Sequence, residues 1–378
     1  MNPRVRLYAA AALLVLLAAC STPAPKPSPS PPVGMPPPQP AATPAPGAEN
    51  GPSPVPPAAP TLWSHMRERF AMPGCDADPQ IVFWAQRYTR HPRRFEGYLR
   101  SVAPTIAYID RVAQAHDVPS EFSLLPWVES RYRAYPPHGG RPAGMWQIMP
   151  ITARAMGLPI KRDYDGRLDR TRTADAVMQL LRNYDQRWHD WRLVDMAYNA
   201  GEYRIRRLHA AGPAPEQPTV PDLAVTRTTR EHLLKLLAIA CVIREPQRFD
   251  VHLPGMPASQ ELQEVQLPQP VLLQDIARIA GISDRRVRAL NGAYLHGRMP
   301  LDGPWSVLLP SAAAQRVRDA LTADALPRQP TTYTVVAGDS LWEIAHRHGV
   351  SVQRLRELNH LRGRVLKPGQ VLLIDRPN

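Results

Sequence analysis

The chain has 378 residues and a formal charge of +13, with 45 prolines and only three cysteines. No Cys/His spacing suggests a metal site, so we expect neither metal nor cofactor. The excess of positive charge favours an anionic partner, which leaves nucleic acid, anionic lipid and acidic polymers open.

The N-terminus reads "MNPRVRLYAAAALLVLLAAC", with Arg4 and Arg6 ahead of an apolar stretch that is too short to span a bilayer comfortably. Residues 1–20 are therefore predicted to be a signal peptide. Leu17 to Cys20 resembles the bacterial lipobox, which implies lipidation of Cys20. No aspartate follows, so the resemblance implies an outer-membrane anchor facing the periplasm. The alternative is an ordinary cleaved signal with a leftover cysteine. Export also argues against a nucleic-acid partner.

Residues 21–60 are proline-rich and predict an extended or disordered linker without a core. Residues 61–255 follow with helical periodicity, as in "DAVMQLLRNYDQRW", and without convincing alternating strands. We expect an all-α domain here. Cys75 and Cys241 are able to form a disulfide in an exported protein. However, Cys241 lies in the apolar helical run "HLLKLLAIACVI", which favours a buried free thiol.

A glutamate interrupts the apolar run "LLPWVES". If residues 121–132 form one helix, Phe122, Leu125, Glu129 and Tyr132 share a face. Burial would then raise the pKa of Glu129 and keep part of it protonated, which is the state that a general acid needs. The alternative is an ordinary helix glutamate that pairs with Arg133 at i+4.

Two further motifs combine polar and apolar groups, "GMWQIMP" at 144–150 and "AYNAG" at 197–201. Each has a structural interpretation, in which Gly144 forms a turn, Trp146 packs in the core and Gly201 caps a helix. Yet aromatic faces beside amides are also what a sugar-binding cleft requires.

Together these motifs resemble the lysozyme-like lytic transglycosylases, specifically the membrane-bound murein transglycosylase D family. The resemblance implies a mainly α lysozyme-like fold, with Glu129 as the catalytic acid and base. It also implies seven substrate-binding or positioning residues: Ser130, Gly144, Met145, Trp146, Gln147, Tyr198 and Asn199. The chain departs from the family pattern at Pro136, His138 and Asp195-Met196.

The resemblance also implies the reaction, which is cleavage of the β-1,4 bond between N-acetylmuramic acid and N-acetylglucosamine in peptidoglycan. The product would be a 1,6-anhydro sugar, formed by one carboxylate without water. A hydrolytic muramidase would need a second carboxylate, for which Asp163, Asp165 and Asp169 are available. A catalytically inactive, glycan-binding lipoprotein is a further alternative. A monomer is expected.

The C-terminal part contains an internal repeat, since "QDIARIAGISDRRVRALN" aligns with "WEIAHRHGVSVQRLRELN" at an offset of 68 residues. Each copy predicts a small α+β unit of strand, helix, helix and strand. Residues 331–376 resemble a LysM domain, which implies binding to N-acetylglucosamine-containing glycans. The candidate contacts in this copy are Gly338, Asp339, Ser340 and Asn359. Residues 262–312 resemble a degenerate LysM without the Gly-Asp-Ser turn, and an unliganded fold is open for both copies.

Overall fold

The structure is a computed structural model that describes residues 61–374 except 304, 328, 362 and 364. The predicted signal peptide, Cys20 and the proline-rich linker therefore lie outside the described residues. None of the helices in the described part of the chain combines the length and the hydropathy that a bilayer span needs.

Residues 61–255 are helical, as the periodicity predicts. In chain order the helices are α1 Leu62–Glu68, α2 Pro79–Thr89, α3 Pro92–Ala115, α4 Leu125–Glu129, α5 Pro150–Ala155, α6 Arg170–Trp188, α7 Trp191–Ala200, α8 Glu202–Leu208 and α9 Arg227–Arg244. Between residues 61 and 255 the described chain forms no strand beyond isolated bridges. A mainly α, lysozyme-like fold class is thereby confirmed, with small two-stranded sheets nearer the C-terminus.

Helix α9 is the interior helix of this domain. Its residues from His232 to Ile243 are buried, with the exception of the half-buried Lys235. A helix that is apolar nearly all round has to be surrounded by other elements. Accordingly, α9 packs against α1, α2, α4 and α7, and it links the elements that carry the candidate catalytic residues.

The single helix predicted over 121–132 is wrong. A 3₁₀ turn covers Ser120–Leu124, and α4 then ends at Glu129 because the next residues turn back. Arg131 and Tyr132 both have a φ of +57°, and the carbonyl of Pro126 accepts from the backbone of both Ser130 and Tyr132. Tyr132 is buried as predicted, but through this turn and not through a helical face. Glu129 consequently stands at the end of a helix, at the edge of the core.

The C-terminal part contains the two predicted strand–helix–helix–strand units. The first comprises β1 Leu262–Leu267, α10 Leu273–Ala280, α11 Asp284–Leu290 and β2 Trp305–Pro310, followed by α12 Ser311–Thr322. The second comprises β3 Thr331–Thr334, α13 Leu341–Arg347, α14 Val352–Leu358 and β4 Val371–Ile374. In each unit the two strands pair antiparallel, Leu262 with Pro310 and Thr331 with Ile374.

The first unit is built into the helical domain. Tyr164 and Leu168 of the helical domain belong to the same hydrophobic cluster as the core of this unit. Backbone hydrogen bonds join the two parts, from Asp165 to Ala293 at 3.0 Å and from Leu295 to Asp163 at 3.1 Å. Helix α12 packs on α10 and both strands, so the unit continues beyond residue 312. The second unit has a separate cluster of its own around Ile344 and Leu372.

The expectation of a buried free thiol at Cys241 is wrong. Cys75 and Cys241 form a disulfide across a sequence separation of 166 residues, with their Cα atoms 5.1 Å apart. Both cysteines are buried, so the apolar surroundings of Cys241 reflect a buried disulfide and not an unpaired thiol. The disulfide ties the short 3₁₀ turn Cys75–Ala77 to the interior helix α9.

We expect the double substitution Cys75→Ala and Cys241→Ala to lower the free energy of unfolding by about 2–5 kcal/mol, because closing a long loop restricts the unfolded chain. Thermal melting with and without reductant measures this effect. Reductant should lower the Tm of the wild type but leave that of the double variant unchanged. A wild-type Tm that is insensitive to complete reduction of the disulfide would contradict the prediction.

Candidate active site

Glu129 is the last residue of α4, and its side chain is 15% exposed. Its Oε1 lies 2.9 Å from Nε2 of His232, which belongs to α9. The alternative pairing with Arg133 is not found, since that guanidinium instead reaches the hydroxyl of Tyr135. The carboxylate is therefore held on its inner side by an imidazole while part of its surface remains accessible.

His232 joins Glu129 to a second carboxylate. Its Nδ1 lies 3.1 Å from Oδ2 and 3.0 Å from Oδ1 of Asp195, which is fully buried on α7. Burial by itself lowers the pKa of His232, but the charge and hydrogen bond of Asp195 and the contact with Glu129 outweigh it and raise that pKa to about 10. His232 is thus an imidazolium at neutral pH.

The sequence analysis missed His232. The sequence pointed to His232 only indirectly. Asp195 stands where the family pattern has a small apolar residue, and a carboxylate buried there needs a partner. The partner comes from a helix 37 residues further along the chain, and no local pattern marks it.

A tight loop forms the neighbouring wall. Ala143 and Ile148 pair across its base, and Gly144 turns the chain with a φ of +75°. Three consecutive backbone carbonyls of this loop accept side-chain hydrogen bonds. Gln147 donates to Gly144 at 2.7 Å, Ser130 to Met145 at 2.7 Å, and Tyr198 to Trp146 at 2.6 Å.

Helix α7 presents Asp195, Tyr198 and Asn199 at i, i+3 and i+4, hence on one face. Burial raises the pKa of the Tyr198 hydroxyl well above its usual range, and the nearby negative charge of Glu129 raises it further. The Tyr198 hydroxyl therefore keeps its proton and donates a hydrogen bond to the carbonyl of Trp146. Asn199 is half-buried one residue further along.

The predicted substrate residues divide by burial. Gly144, Met145, Trp146 and Ser130 are buried, whereas Gln147, Tyr198 and Asn199 are half-buried. The buried residues support the loop beside Glu129 from inside the core. The three half-buried residues could contact a sugar directly through their side chains, and all these roles stay predictions.

Two of the three aspartates that a hydrolase could use are engaged elsewhere, and the third is exposed. Asp165 is buried and forms a two-point ion pair with Arg167, at 2.7 and 3.0 Å. Asp169 caps α6 by accepting from the backbone of Thr171 and Arg172. Asp163 is exposed and lies 3.8 Å from His296 of the first C-terminal unit.

The candidate glycan contacts of the second C-terminal unit have structural partners. Asp339 accepts from Tyr333 and from the backbone of Val336, and Ser340 forms a capping box with Glu343. Gly338 adopts a φ of +94° in the turn that precedes them.

Asn359 donates to the carbonyls of Leu355 and Leu373 and accepts from the backbone of Leu373. It thereby joins α14 to β4. Asn291, its counterpart in the first unit, joins α11 to β2 through Val287 and Leu308 in the same way.

Among the described residues no group of three or more His, Cys, Asp or Glu side chains is arranged to hold a metal ion. The geometry around Glu129 instead offers proton donors, proton acceptors and one accessible carboxylate.

Comparison with known proteins agrees with this geometry. The Transglycosylase SLT domain matches residues 107–217, which include Glu129 and both cleft motifs. The LysM-like domain of lytic transglycosylase MltD matches residues 261–325, and the LysM domain matches 333–375. The membrane-bound lytic murein transglycosylase D of Escherichia coli K12 is 31% identical over 327 residues, covering 83% of this chain and 72% of the relative.

The chain belongs to the membrane-bound lytic murein transglycosylase D family. It is accordingly a lytic murein transglycosylase with a LysM domain. Two further relatives match shorter parts of the chain. A putative tributyltin chloride resistance protein of Alteromonas sp. is 26% identical over 38% of this chain and 70% of its own length. An N-acetylmuramoyl-L-alanine amidase of Staphylococcus saprophyticus is 48% identical over 12% of this chain and 14% of its own length.

We expect Gly144→Ala to abolish most activity, because a Cβ at this position would lie 2.0 Å from the backbone oxygen of Arg167. The loop would have to move, and Met145 and Trp146 with it. Gly157→Ala is the matched control, since Gly157 has a φ of +70° and the position that a Cβ would take has no atom within 4 Å.

The control should show only backbone strain, roughly 1–3 kcal/mol. Gly144→Ala should lose more stability than that and at least about 10-fold in turnover, by the general sensitivity of catalysis to misplacement of positioned groups. Thermal melts and turnover on purified sacculi compare the two variants. Equal behaviour of both would contradict the proposed close packing.

Proposed function

We propose that this protein cleaves the β-1,4 bond between N-acetylmuramic acid and N-acetylglucosamine and releases a 1,6-anhydromuramoyl end. The observation that supports this most is the arrangement of Glu129, which is accessible on one side and paired with His232 on the other. Two of the three aspartates that the sequence offers as a second carboxylate are held in other contacts, Asp165 by Arg167 and Asp169 by the first turn of α6.

One carboxylate suffices when it acts twice. Glu129 first donates a proton to the glycosidic oxygen as the sugar acquires oxocarbenium character. The resulting carboxylate then accepts the proton of the muramoyl C6 hydroxyl, whose oxygen closes onto C1. The proton given in the first step is recovered in the second, so no water molecule is consumed.

A hydrolytic muramidase is less well supported. A second carboxylate must face the substrate about 5–10 Å from the first, in either stereochemical class. Asp165 is buried in an ion pair with Arg167, and Asp169 is a helix cap. Asp195 is connected to Glu129 through His232 but is fully buried, so it cannot reach a sugar.

An inactive glycan-binding protein is also less well supported. A dead site has no need for a charged histidine beside its glutamate, since a buried ion pair stabilises a fold little compared with apolar packing. The pairing of His232 with both Glu129 and Asp195 favours a working acid.

The remaining parts define where this chemistry takes place. We infer lipidation at Cys20, an outer-membrane anchor facing the periplasm, and a monomer that binds peptidoglycan glycan strands. The inferred boundaries are a signal peptide over 1–20, a linker over 21–60, the transglycosylase domain over 61–255, a first module that begins at 262 and continues past the predicted end at 312 through α12, and a second module at 331–376. Gln147, Tyr198 and Asn199 are proposed to contact the sugar, and Ser130 is proposed to position the Met145 carbonyl.

Glu129→Gln tests the proposal, because the amide keeps the volume of the side chain but cannot donate an acid proton. We expect a loss of roughly 10²–10⁴-fold or more in turnover with the Tm almost unchanged. Mass spectrometry of muropeptides released from sacculi reports the product. Asp169→Asn is the control and should keep its anhydro products. Reducing ends from the wild type, or full activity of Glu129→Gln, would overturn the proposal.

A further inference from the structure

The contact between His232 and Glu129 raises the question of what a buried imidazole contributes to a reaction that one carboxylate performs. Both ring nitrogens face carboxylates, at 2.9 Å for Glu129 and 3.0–3.1 Å for Asp195. An ionised carboxylate only accepts hydrogen bonds, and a neutral imidazole donates only one. Both contacts are satisfied together when the ring is an imidazolium.

We propose that His232, charged and oriented by Asp195, is the residue that positions Glu129 and holds its Oε1, so that Oε2 delivers and recovers the proton. This inference rests on the proposed function. His232 does not touch the substrate in this arrangement, since its side chain is only 6% exposed and lies behind Glu129. It is a positioning residue that acts through the carboxylate.

Asp195 has two effects in this arrangement. It keeps His232 protonated, so that Nε2–H is available as a donor to Oε1. It also cancels the positive charge of the ring. The Asp195–His232 pair is therefore neutral as a whole, and it orients Glu129 without adding a net charge beside it.

The proton balance closes over the two steps. The first step requires the protonated form of Glu129, with the proton on Oε2 and a hydrogen bond from His232 to Oε1. Proton transfer to the glycosidic oxygen leaves a carboxylate, and the bond from the imidazolium to that carboxylate strengthens. The C6 hydroxyl then returns a proton to Oε2. His232 and Asp195 keep their own protonation throughout.

The surroundings of His232 support the assignment. Glu129 faces the ring from α4 and Asp195 faces it from α7, and these two residues are the charged groups that act on it. Helices α1 and α2 also pack against α9. Tyr88 of α2, a neutral phenol at physiological pH, lies near the backbone of Lys235. The protonation of the ring is therefore controlled by the two carboxylates that it contacts.

The first test titrates His232 by NMR after selective labelling of histidine. Since its folded pKa is raised, the imidazolium should persist through neutral pH and be lost only as the pH rises through about 10. In Asp195→Asn the transition should move down toward the ordinary value near 6.5. A transition near 6.5 in the wild type would overturn the inference.

The second test is kinetic. Asp195→Asn and His232→Gln should lower kcat on the order of 10–100-fold, a part of what positioned acid–base catalysis contributes, with KM for glycan strands nearly unchanged. Asp195→Asn should also move the basic limb of the pH profile to lower pH. His232→Gln leaves Asp195 buried without a counter-charge and is at risk of misfolding.

The double variant Asp195→Asn with His232→Gln removes both charges together and separates folding from catalysis. We expect it to regain stability relative to His232→Gln without regaining kcat. Wild-type kcat and pH profile in this double variant would overturn the inference and leave a structural role. This test is separate from the test of the proposed function. Reducing-end products would refute the proposed function, whereas the kcat values of these variants would still show whether His232 positions Glu129.

A separate feature concerns binding. A cavity of about 350 Å³ lies beside the end of α4, with an aromatic floor and a cationic rim. The floor consists of Tyr88, Phe95, Tyr98 and Trp127. The ring centroids of Tyr88, Phe95 and Tyr98 lie 5.3–5.8 Å from that of Trp127, in edge-to-face contacts. The rim contains five arginines: Arg87, Arg90, Arg94, Arg131 and Arg133.

The charges of this rim are uncompensated within the described chain. The cavity has no acidic lining residue, and none of its five arginines has a carboxylate within 4.0 Å among the described residues. Arg131 instead stacks over Trp127 at 4.4 Å and Tyr88 at 4.5 Å, which fixes its guanidinium in place. A fixed arginine in a cationic rim suits carboxylates, which guanidinium groups bind in two-point contacts.

The geometry points to this cavity as a binding site for the carboxylates of the peptide stems carried by the glycan substrate. Trp127 and Arg131, which both line this cavity, lie two residues before and two residues after Glu129 in the chain. This inference also rests on the proposed function. It assigns the peptide part of the substrate to a surface separate from the sugar contacts.

Arg90→Ala with Arg94→Ala tests the assignment, and Arg278→Ala with Arg285→Ala on the first C-terminal unit is the charge-matched control. We expect the first pair to raise KM several-fold on strands with peptide stems, and to change nothing on strands stripped of peptide. The control pair should change neither. Equal effects on both substrates, or none, would overturn the assignment. Loss of binding to anionic lipid vesicles with an unchanged KM would assign the rim to lipid instead. Bond cleavage is the readout, so the result holds whichever product end is formed.

Discussion

The ionic contact between His232 and two carboxylates is the constraint on which the active site depends. His232 lies in a helix that is otherwise apolar on nearly every side, and a charge buried there is costly unless it is paired. Asp195 from α7 and Glu129 from α4 supply the partners. These contacts fix α4, α7 and α9 relative to one another, and Glu129 stands at the edge of the core at the end of α4.

The loop beside Glu129 shows a related use of polar side chains. Gly144, Met145 and Trp146 each present a backbone carbonyl that lacks a partner in a regular helix or sheet, and buried carbonyls need donors. Gln147, Ser130 and Tyr198 provide them. Residues that resemble sugar contacts in sequence therefore hold the loop beside Glu129 in place through its backbone carbonyls.

The residues that match between the two copies of the internal repeat stabilise a shared fold, and a shared fold does not imply a shared ligand. Asn291 and Asn359 occupy matching positions, and each joins the second helix of its unit to the last strand. The first unit also contributes to one hydrophobic cluster with Tyr164 and Leu168 of the helical domain. It thus shares a core with the helical domain, whereas the second unit has a core of its own.

The sequence by itself determined the helical class, the two strand–helix–helix–strand units and the motifs around Glu129, because these depend on local periodicity and on residues close in the chain. It misjudged the helix over 121–132, since a turn with two left-handed residues has no periodic signal. Tertiary structure alone decided the disulfide between Cys75 and Cys241 and the pairing of His232 with Asp195 and Glu129. Those partners lie 37 to 166 residues apart, and only the packing of helices around α9 brings their side chains within bonding distance.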